Sequence, residues 1–214
     1  MQPLQVPTAK PTVALSTLPA LSLYVHIPWC VRKCPYCDFN SHEMKGPPRL
    51  ADGAPMNLDR ALEARYVKAL IADLDRAVPQ VWGRPVYTVF FGGGTPSLLS
   101  ARGLDDLLCA LRARLPLAPD AEITLEANPG TFEAGKFAEF RALGITRLSI
   151  GIQSFNAGHL NALGRIHDTN QALAAIEIAR TSFENFNLDL MYALPGQTLA
   201  EALADLDRAL SFVP

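Results

Sequence analysis

Three cysteines lie close together near the start of the chain, and their spacing indicates their chemistry. Cys30, Cys34 and Cys37 form a CxxxCxxC pattern directly after a β-branched and aromatic run that is typical of a strand. Thiolate sulfur selects soft metals and iron–sulfur clusters, and each iron of a cubane cluster takes one protein sulfur. Three cysteines on one tight loop therefore predict a [4Fe–4S] cluster in which one iron has no protein ligand.

That remaining iron is open to a small chelating molecule. The amine and carboxylate of S-adenosylmethionine (SAM) can chelate it, and an electron from the cluster can then break the sulfonium bond. The loop thus predicts radical SAM chemistry, with Cys30, Cys34 and Cys37 as metal ligands. A reductant for the cluster is the partner that such chemistry requires.

Two other roles for the cysteines remain open from spacing alone. Zinc could be held by the three thiolates with His26 or His42 as a fourth ligand, although zinc sites usually add a second cysteine or histidine pair, which this chain lacks. A disulfide framework is disfavoured because a chain with four cysteines and no export signal is typical of the cytoplasm. We therefore expect a cytoplasmic protein with reduced cysteines.

Composition bounds the classes of protein to which the chain can belong. Its 214 residues are 49% hydrophobic, which suits one sizeable core, and 19 Lys and Arg against 21 Asp and Glu give a net charge of −2. Without a basic block, a nucleic-acid partner is not expected. No apolar run reaches the length of a transmembrane segment.

The first twenty residues differ from the rest of the chain. They contain four prolines and a single charged residue, Lys10, with no cationic start and no clear cleavage site. This composition predicts a disordered leader over residues 1–20 and not a secretory signal. Residues 21–214 are then expected to form one domain.

Strand and helix patterns alternate five times along that domain. A Pro- and Gly-rich stretch from Met44 to Asn57 is expected to be an exposed insertion. Alternation of this kind predicts parallel strands covered by helices, either as a doubly wound sheet or as an incomplete (β/α) barrel of five units. The predicted strands are 21–27, 85–91, 122–126, 147–152 and 186–190, and the predicted helices are 58–78, 101–115, 132–143, 157–163, 169–181 and a last one ending near 212.

Each predicted strand ends at a chemically distinctive feature. Ligands bind at the carboxyl ends of strands in parallel α/β folds, so these features are expected to share one pocket. Singly, each could instead be a turn, a helix cap, an ion pair or a solvated side chain. The features are the cysteine loop, the run Gly92–Thr95, Glu126, Gln153 and Asp189, with Arg165 as a further donor toward the SAM carboxylate.

Six separated motifs give the sequence a family resemblance. LYVHIPWCVRKCPYCDFNS, FFGGGTPS, LEANPGT, LSIGIQSFN, LGRIHD and NLDLMYALPGQT resemble the radical SAM proteins related to oxygen-independent coproporphyrinogen III oxidase. The resemblance implies an incomplete (β/α) barrel of radical SAM type and a cluster on the three cysteines. It also implies that SAM is surrounded by Tyr24, Tyr36, Gly93, Gly94, Thr95, Glu126, Gln153, Arg165 and Asp189.

One position separates the branches of this family. The oxidase has a further cysteine two residues after the third, where this chain has Phe39, and CDFNS resembles the HemW-like branch. That branch implies a heme chaperone, with heme and a heme-acceptor protein as partners. The alternative is oxidative decarboxylation of coproporphyrinogen III in porphyrin biosynthesis.

The resemblance also extends past the end of this sequence. Family members continue through a sixth strand and a C-terminal domain, and the HNxxYW stretch linked to heme binding would lie beyond Pro214. A third hypothesis is therefore a fragment that neither binds heme as a chaperone nor acts as the oxidase.

Overall fold

The computed structural model describes residues 17–44, 57–131 and 134–212. Most of the predicted leader and of the predicted 44–57 insertion lies outside these ranges. The strands are β1 (Leu21–Ile27), β2 (Trp29–Cys30), β3 (His42–Glu43), β4 (Val86–Gly93), β5 (Leu117–Ala127), β6 (Arg147–Gln153) and β7 (Asn185–Leu190). The α-helices are α1 (Arg60–Ala77), α2 (Ala101–Arg114), α3 (Ala134–Leu143), α4 (Ala157–Ala162), α5 (Thr169–Ser182) and α6 (Leu199–Leu210).

The five long strands form one sheet in the order β1-β4-β5-β6-β7, and every neighbouring pair is parallel. A doubly wound sheet reverses its strand order at a switch point, and this sheet does not. Right-handed crossovers in one direction place the helices on one face, where α1, α2, α3 and α5 contact one another in succession. The prediction of an incomplete (β/α) barrel with five units is confirmed.

Alternation along the strands separates the core from the other face of the sheet. In β6, Leu148, Ile150 and Ile152 are fully buried in the main hydrophobic core, while Ser149, Gly151 and Gln153 line a cavity. Each large apolar side chain removed from water contributes about 1.5–3 kcal/mol. The helix-covered face therefore supplies the stability, which leaves the opposite face available for polar groups.

Side-chain caps fix where several helices begin after the strands. Asp59, Ser100, Asp168 and Thr198 each accept a hydrogen bond from a backbone N–H of the first helical turn. Such caps typically contribute about 1 kcal/mol each. These caps fix the residue at which each of these loops ends and the following helix begins.

The predicted element boundaries need small corrections. Strand β4 runs two residues beyond the predicted end, into Gly93, and β5 begins at Leu117 instead of 122. Pro79 lies in a short 3-10 turn, Val78–Gln80, directly after α1. Among the described helices, none combines the length and the apolar character that crossing a membrane requires.

Candidate cofactor-binding site

The cysteine loop leaves β1 and is closed by a two-residue parallel pair. Strand β2, which contains Cys30, pairs with β3, and the Met44 N–H donates to the carbonyl of Cys30 at 2.9 Å. Inside the loop, the Cys37 N–H donates to the carbonyl of Cys34 at 3.0 Å. These backbone bonds bring the three predicted metal ligands, all free thiols, onto one side of a common cavity.

Lys33 holds the part of the loop that follows Cys37. Its ammonium group donates to the carbonyls of Phe39 and Ser41 at 3.2 and 3.1 Å, and its backbone N–H donates to a Glu43 carboxylate oxygen at 3.2 Å. A single side chain thus ties the residues after Cys37 back to those before Cys34. The loop conformation is therefore fixed by the protein itself.

The thiols are polarised by their neighbours. Burial raises the pKa of Cys30, and hydrogen bonds from Thr95 and Ser41 act in the opposite direction. The Cys37 sulfur lies 3.9 Å from the Ser41 hydroxyl. For Cys30, these hydrogen bonds favour the thiolate, which is the form that binds metal, but burial outweighs them and its pKa is raised.

The donor set fits a cluster. Within the described residues, no three His, Cys, Asp or Glu side chains form a group that could hold a single metal ion. A cubane binds each thiolate at a different iron, so its three sulfurs do not need to converge on one point. Cys30, Cys34 and Cys37 could each bind a different iron of a [4Fe–4S] cluster, and this assignment stays a prediction.

A cavity of about 600 Å³ opens at the carboxyl ends of the strands, between the cysteine loop and the sheet. It has the size expected of a small-molecule site. The structure brings together most of the predicted cofactor residues in its lining: Tyr36, Gly93, Gly94, Thr95, Glu126, Gln153, Arg165 and Asp189.

Tyr24 is not among the residues that line this cavity. Its hydroxyl hydrogen-bonds His26 Nδ1 at 3.0 Å, and its ring stacks against Phe90, which does line the cavity, with 6.2 Å between ring centroids. Because His26 Nε2 lies 2.8 Å from the carbonyl of Asn40, that nitrogen is the donor and Nδ1 accepts from Tyr24. Direct contact of Tyr24 with SAM stays a prediction.

Arg165 joins the cysteine loop to the far wall of the cavity. Its Nη1 lies 3.6 Å from the Cys34 sulfur and 3.4 Å from the Tyr36 hydroxyl, and its Nη2 donates to the carbonyl of Gly151 at 2.8 Å. Its Nε is buried without a hydrogen-bond partner in the described structure. Arg165 lines the cavity, and a guanidinium group in a cavity wall suits an anionic ligand group, such as the carboxylate of SAM.

The glycine turn after β4 is needed for packing as well as for lining the cavity. A Cβ at Gly93 would lie 2.6 Å from the His26 ring, and one at Gly94 would lie 2.5 Å from the carbonyl oxygen of Trp29. Gly93 also has a φ of 118°, which side-chain-bearing residues rarely adopt. The glycines therefore allow the end of β4 to approach the end of β1 and the start of the cysteine loop.

Two carboxylates lie on the sheet side of the cavity. Glu126 accepts from the Gly93 N–H at 3.1 Å; burial and, less strongly, the charge of Asp189 raise its pKa to about 7. Burial also raises the pKa of Asp189, against hydrogen bonds from Ser149 and Asn187. A pair of this kind can accept hydrogen bonds from ribose hydroxyls or compensate the positive charge of an amine.

Sequence reasoning missed a polar network on the strands. The Arg147 guanidinium donates to Asn187 Oδ1 at 2.5 Å, and Asn187 Nδ2 donates to Asp189 at 2.6 Å. The Ser149 hydroxyl lies within 3.1 Å of both Asp189 carboxylate oxygens. Arg147, Ser149 and Asn187 were not predicted as site residues, and all three line the cavity. The signal was the alternation of polar and apolar residues in RLSIGIQ and NFNLDL, which were predicted as strands with no role for their polar residues before Gln153 and Asp189.

Gln153 has an unusual backbone at the end of β6. Its φ of 68° lies in the left-handed region, which is uncommon for a residue with a side chain, and its side chain lines the cavity. The Met191 N–H donates to the Gln153 carbonyl at 2.8 Å. No sequence pattern indicated this conformation.

A consecutively ordered parallel sheet with a three-cysteine loop over its carboxyl edge defines a radical SAM domain, and the chain belongs to the radical SAM superfamily. The model of that superfamily matches residues 24–209. The chain is similar to the heme chaperone HemW of Escherichia coli, at 52% identity over 92% of this chain and 49% of that protein. HemW of Haemophilus influenzae is 46% identical over the same shares. This chain thus spans about half the length of these curated relatives.

The comparison with solved structures gives the same fold. Coproporphyrinogen III oxidase (HemN) from Escherichia coli, a radical SAM enzyme, superposes with a TM-score of 0.76 at 32% identity, covering 91% of this chain and 42% of that one. Methylornithine synthase (PylB) superposes with a TM-score of 0.58 at 11% identity, over 91% of this chain and 52% of that one. At that identity the second match shows the fold alone.

Proposed function

We propose that this chain is the radical SAM part of a heme chaperone of the HemW type. It would carry a [4Fe–4S] cluster and exchangeable SAM, and would take part in binding heme for transfer to an acceptor protein. The proposal is supported by the similarity to HemW proteins over 92% of the chain. It also includes a reductant for the cluster and a cytoplasmic location, because the free thiols require reducing surroundings.

The single observation that supports cofactor binding best is the contact between Arg165 and Cys34 across the cavity. The cluster, when bound, would supply redox chemistry, as a source of one electron for the bound SAM. The chain's own residues would do the binding: the cysteines hold iron, and Arg165 holds the carboxylate of SAM with its charged donors. Glu126 and Asp189, on the sheet side, would accept from the amine or the ribose hydroxyls.

Phe39 favours the chaperone over the oxidase. It lies two residues after Cys37, lines the cavity and is 60% exposed, so an apolar ring occupies the cavity wall where the oxidase has a further cysteine. A phenyl ring at this position offers no sulfur ligand. This position therefore provides no extra thiol for the oxidase reaction.

Oxygen-independent coproporphyrinogen III oxidase is the second candidate. It is favoured by the TM-score of 0.76 and 32% identity to HemN, which exceed the values for the PylB match. The two candidates share cluster and SAM binding, so the cofactors cannot distinguish them. Only their products can.

The test combines product analysis with heme titration. Anaerobically reconstituted protein is incubated with SAM, a reductant and coproporphyrinogen III, and heme binding is followed by Soret absorbance with Escherichia coli HemW as the positive control. We expect no protoporphyrinogen, and heme binding would support the chaperone assignment. Formation of protoporphyrinogen would establish the oxidase, and failure to bind heme would contradict a heme-binding role for the residues of this chain.

A further inference from the structure

Helix α6 is attached to the domain in an unusual way. Its leucines Leu199, Leu203, Leu206 and Leu210 are exposed, and Asp205 is the one buried residue of its twelve, with 5% of its surface accessible. Burying a carboxylate is costly unless its oxygens are hydrogen-bonded. A helix that buries an aspartate and exposes its leucines therefore suggests a role for that carboxylate.

Both oxygens of Asp205 are occupied by the turn after β6. One accepts from the Ser154 hydroxyl at 2.6 Å, and the other accepts from the Phe155 N–H at 2.8 Å. The Ser154 hydroxyl oxygen in turn accepts from the Asn156 N–H at 3.0 Å, and Ser154 is completely buried. Hydrogen bonds to a charged group are the stronger kind, so Asp205 fixes three consecutive residues of this turn.

The residue immediately before this turn is Gln153. Its left-handed backbone, with φ at 68°, persists only if its surroundings enforce it. On one side the Met191 N–H holds the Gln153 carbonyl, and on the other side Asp205 holds Ser154 and Phe155. Because the backbone sets where a side chain points, these contacts determine that Gln153 faces the cavity.

Contacts from other elements also hold Phe155, but these do not reach Ser154. The Thr169 hydroxyl donates to the carbonyl of Phe155 at 2.9 Å, and the Phe155 ring stacks on Phe212 with 6.1 Å between centroids. Asp205 is therefore the side chain from another element that holds Ser154, the residue next to Gln153.

We propose that Asp205 is a positioning residue: from the outer helix α6 it holds residues 154–156 so that Gln153 presents its side chain to the ligand in the cavity. The inference rests on the proposed function, in which that ligand is SAM. The Gln153 amide would hydrogen-bond a ribose hydroxyl or the carboxylate, and Asp205 would act on SAM only through it.

The test is a double-mutant cycle on SAM affinity. Asp205→Ala and Asp205→Asn are made in the parental protein and in a Gln153→Ala background, with Asp207→Ala, an exposed residue of the same helix, as the matched control. Dissociation constants for SAM are measured by equilibrium titration of anaerobically reconstituted protein with equal iron content. All titrations are made below the unfolding transition of every variant, so a loss of global stability alone does not change the measured constants.

We expect Asp205→Ala to weaken SAM binding about five- to tenfold in the parental protein, the range of one lost buried hydrogen bond. In the Gln153→Ala background the same change should have almost no further effect, and Asp207→Ala should have none in either. If Asp205→Ala does not fold, the same comparison is made with Asp205→Asn. An unchanged affinity, or an equal loss in both backgrounds, would overturn the inference.

A cofactor-free readout separates this inference from the proposed function. Hydrogen exchange of the Phe155 and Asn156 amides should accelerate in Asp205→Ala and stay unchanged in Asp207→Ala. Absence of SAM binding by the parental protein contradicts the proposed function alone. Unchanged exchange at these amides contradicts the positioning role alone.

Discussion

Arg165 places a guanidinium nitrogen 3.6 Å from the sulfur of Cys34, although 131 residues separate them in the chain. The same guanidinium group holds the carbonyl of Gly151 on β6, so one side chain links the cysteine loop to the sheet. The guanidinium nitrogen is thus a charged donor beside a predicted metal ligand. The contact thus joins the metal ligands to the cavity wall.

Replacing Arg165 by lysine should weaken SAM binding. Lysine keeps the positive charge but cannot reach Cys34, Tyr36 and Gly151 together, because it lacks the planar fork of donors. We expect roughly a tenfold increase in the dissociation constant, as measured by anaerobic titration. Arg180→Lys is the control, since Arg180 is exposed on α5 and pairs with Glu177. Equal affinities in the two variants would contradict the role of the fork.

Replacing Cys34 by alanine should abolish the cluster. Two thiolates on a loop cannot hold a cubane that needs three protein sulfurs, so iron and sulfide content should fall to background after reconstitution. Cys109→Ala is the control, because Cys109 is exposed on α2 and its sulfur is hydrogen-bonded to Asp105. Full iron content in Cys34→Ala, or zinc without sulfide in the parental protein, would refute the cluster assignment.

The sequence predicted the number of βα units and part of the cavity lining, because both follow from local patterns. Five apolar strands and the features that follow each of them, such as Glu126 and Asp189, are visible without tertiary information. The order of the strands in the sheet is not visible in this way. Barrel and doubly wound sheets share the same alternation, and only the pairing β1-β4-β5-β6-β7 distinguishes them.

Residues that act through long-range contacts were also beyond the reach of sequence patterns. Asp205 is unremarkable among the charged residues of an amphipathic helix, and its burial depends on Ser154, 51 residues away. Gln153 gave no hint of a positive φ, because that conformation comes from the contacts around it. Such features depend on packing that only the folded chain defines.

Replacing Gly94 by alanine should destabilise the junction between β4 and the cysteine loop. Its Cβ would lie 2.5 Å from the Trp29 carbonyl oxygen, and backbone cannot move aside as a flexible side chain can. We expect a loss of about 1–3 kcal/mol in the free energy of unfolding, measured by denaturant titration of the cofactor-free protein. Gly135→Ala is the matched control: the new methyl group meets nothing within 4 Å, and a helical alanine should be neutral or slightly stabilising. Comparable effects at the two sites would show that the close approach is relieved without cost.

Glu126 should make the stability of the cofactor-free protein depend on pH. Its pKa of about 7 exceeds the usual 4.5, so between these values the folded protein holds a proton that the unfolded chain has released. This contribution is fully present below pH 4.5 and is lost as the pH rises through 7. The advantage of the parental protein over Glu126→Gln should therefore shrink by about 2 kcal/mol from pH 5.5 to pH 8, at 1.36 kcal/mol per unit.

Urea unfolding of both proteins at the two pH values measures this difference, and titrating groups that do not interact with Glu126 cancel in it. Asp189→Asn is the informative companion variant: it removes a negative charge that raises the pKa of Glu126, so the decline should be smaller and should level off at a lower pH. A difference between the parental protein and Glu126→Gln that stays constant from pH 5.5 to 8 would mean that Glu126 is ionised throughout, and that burial at the end of β5 does not hold its proton.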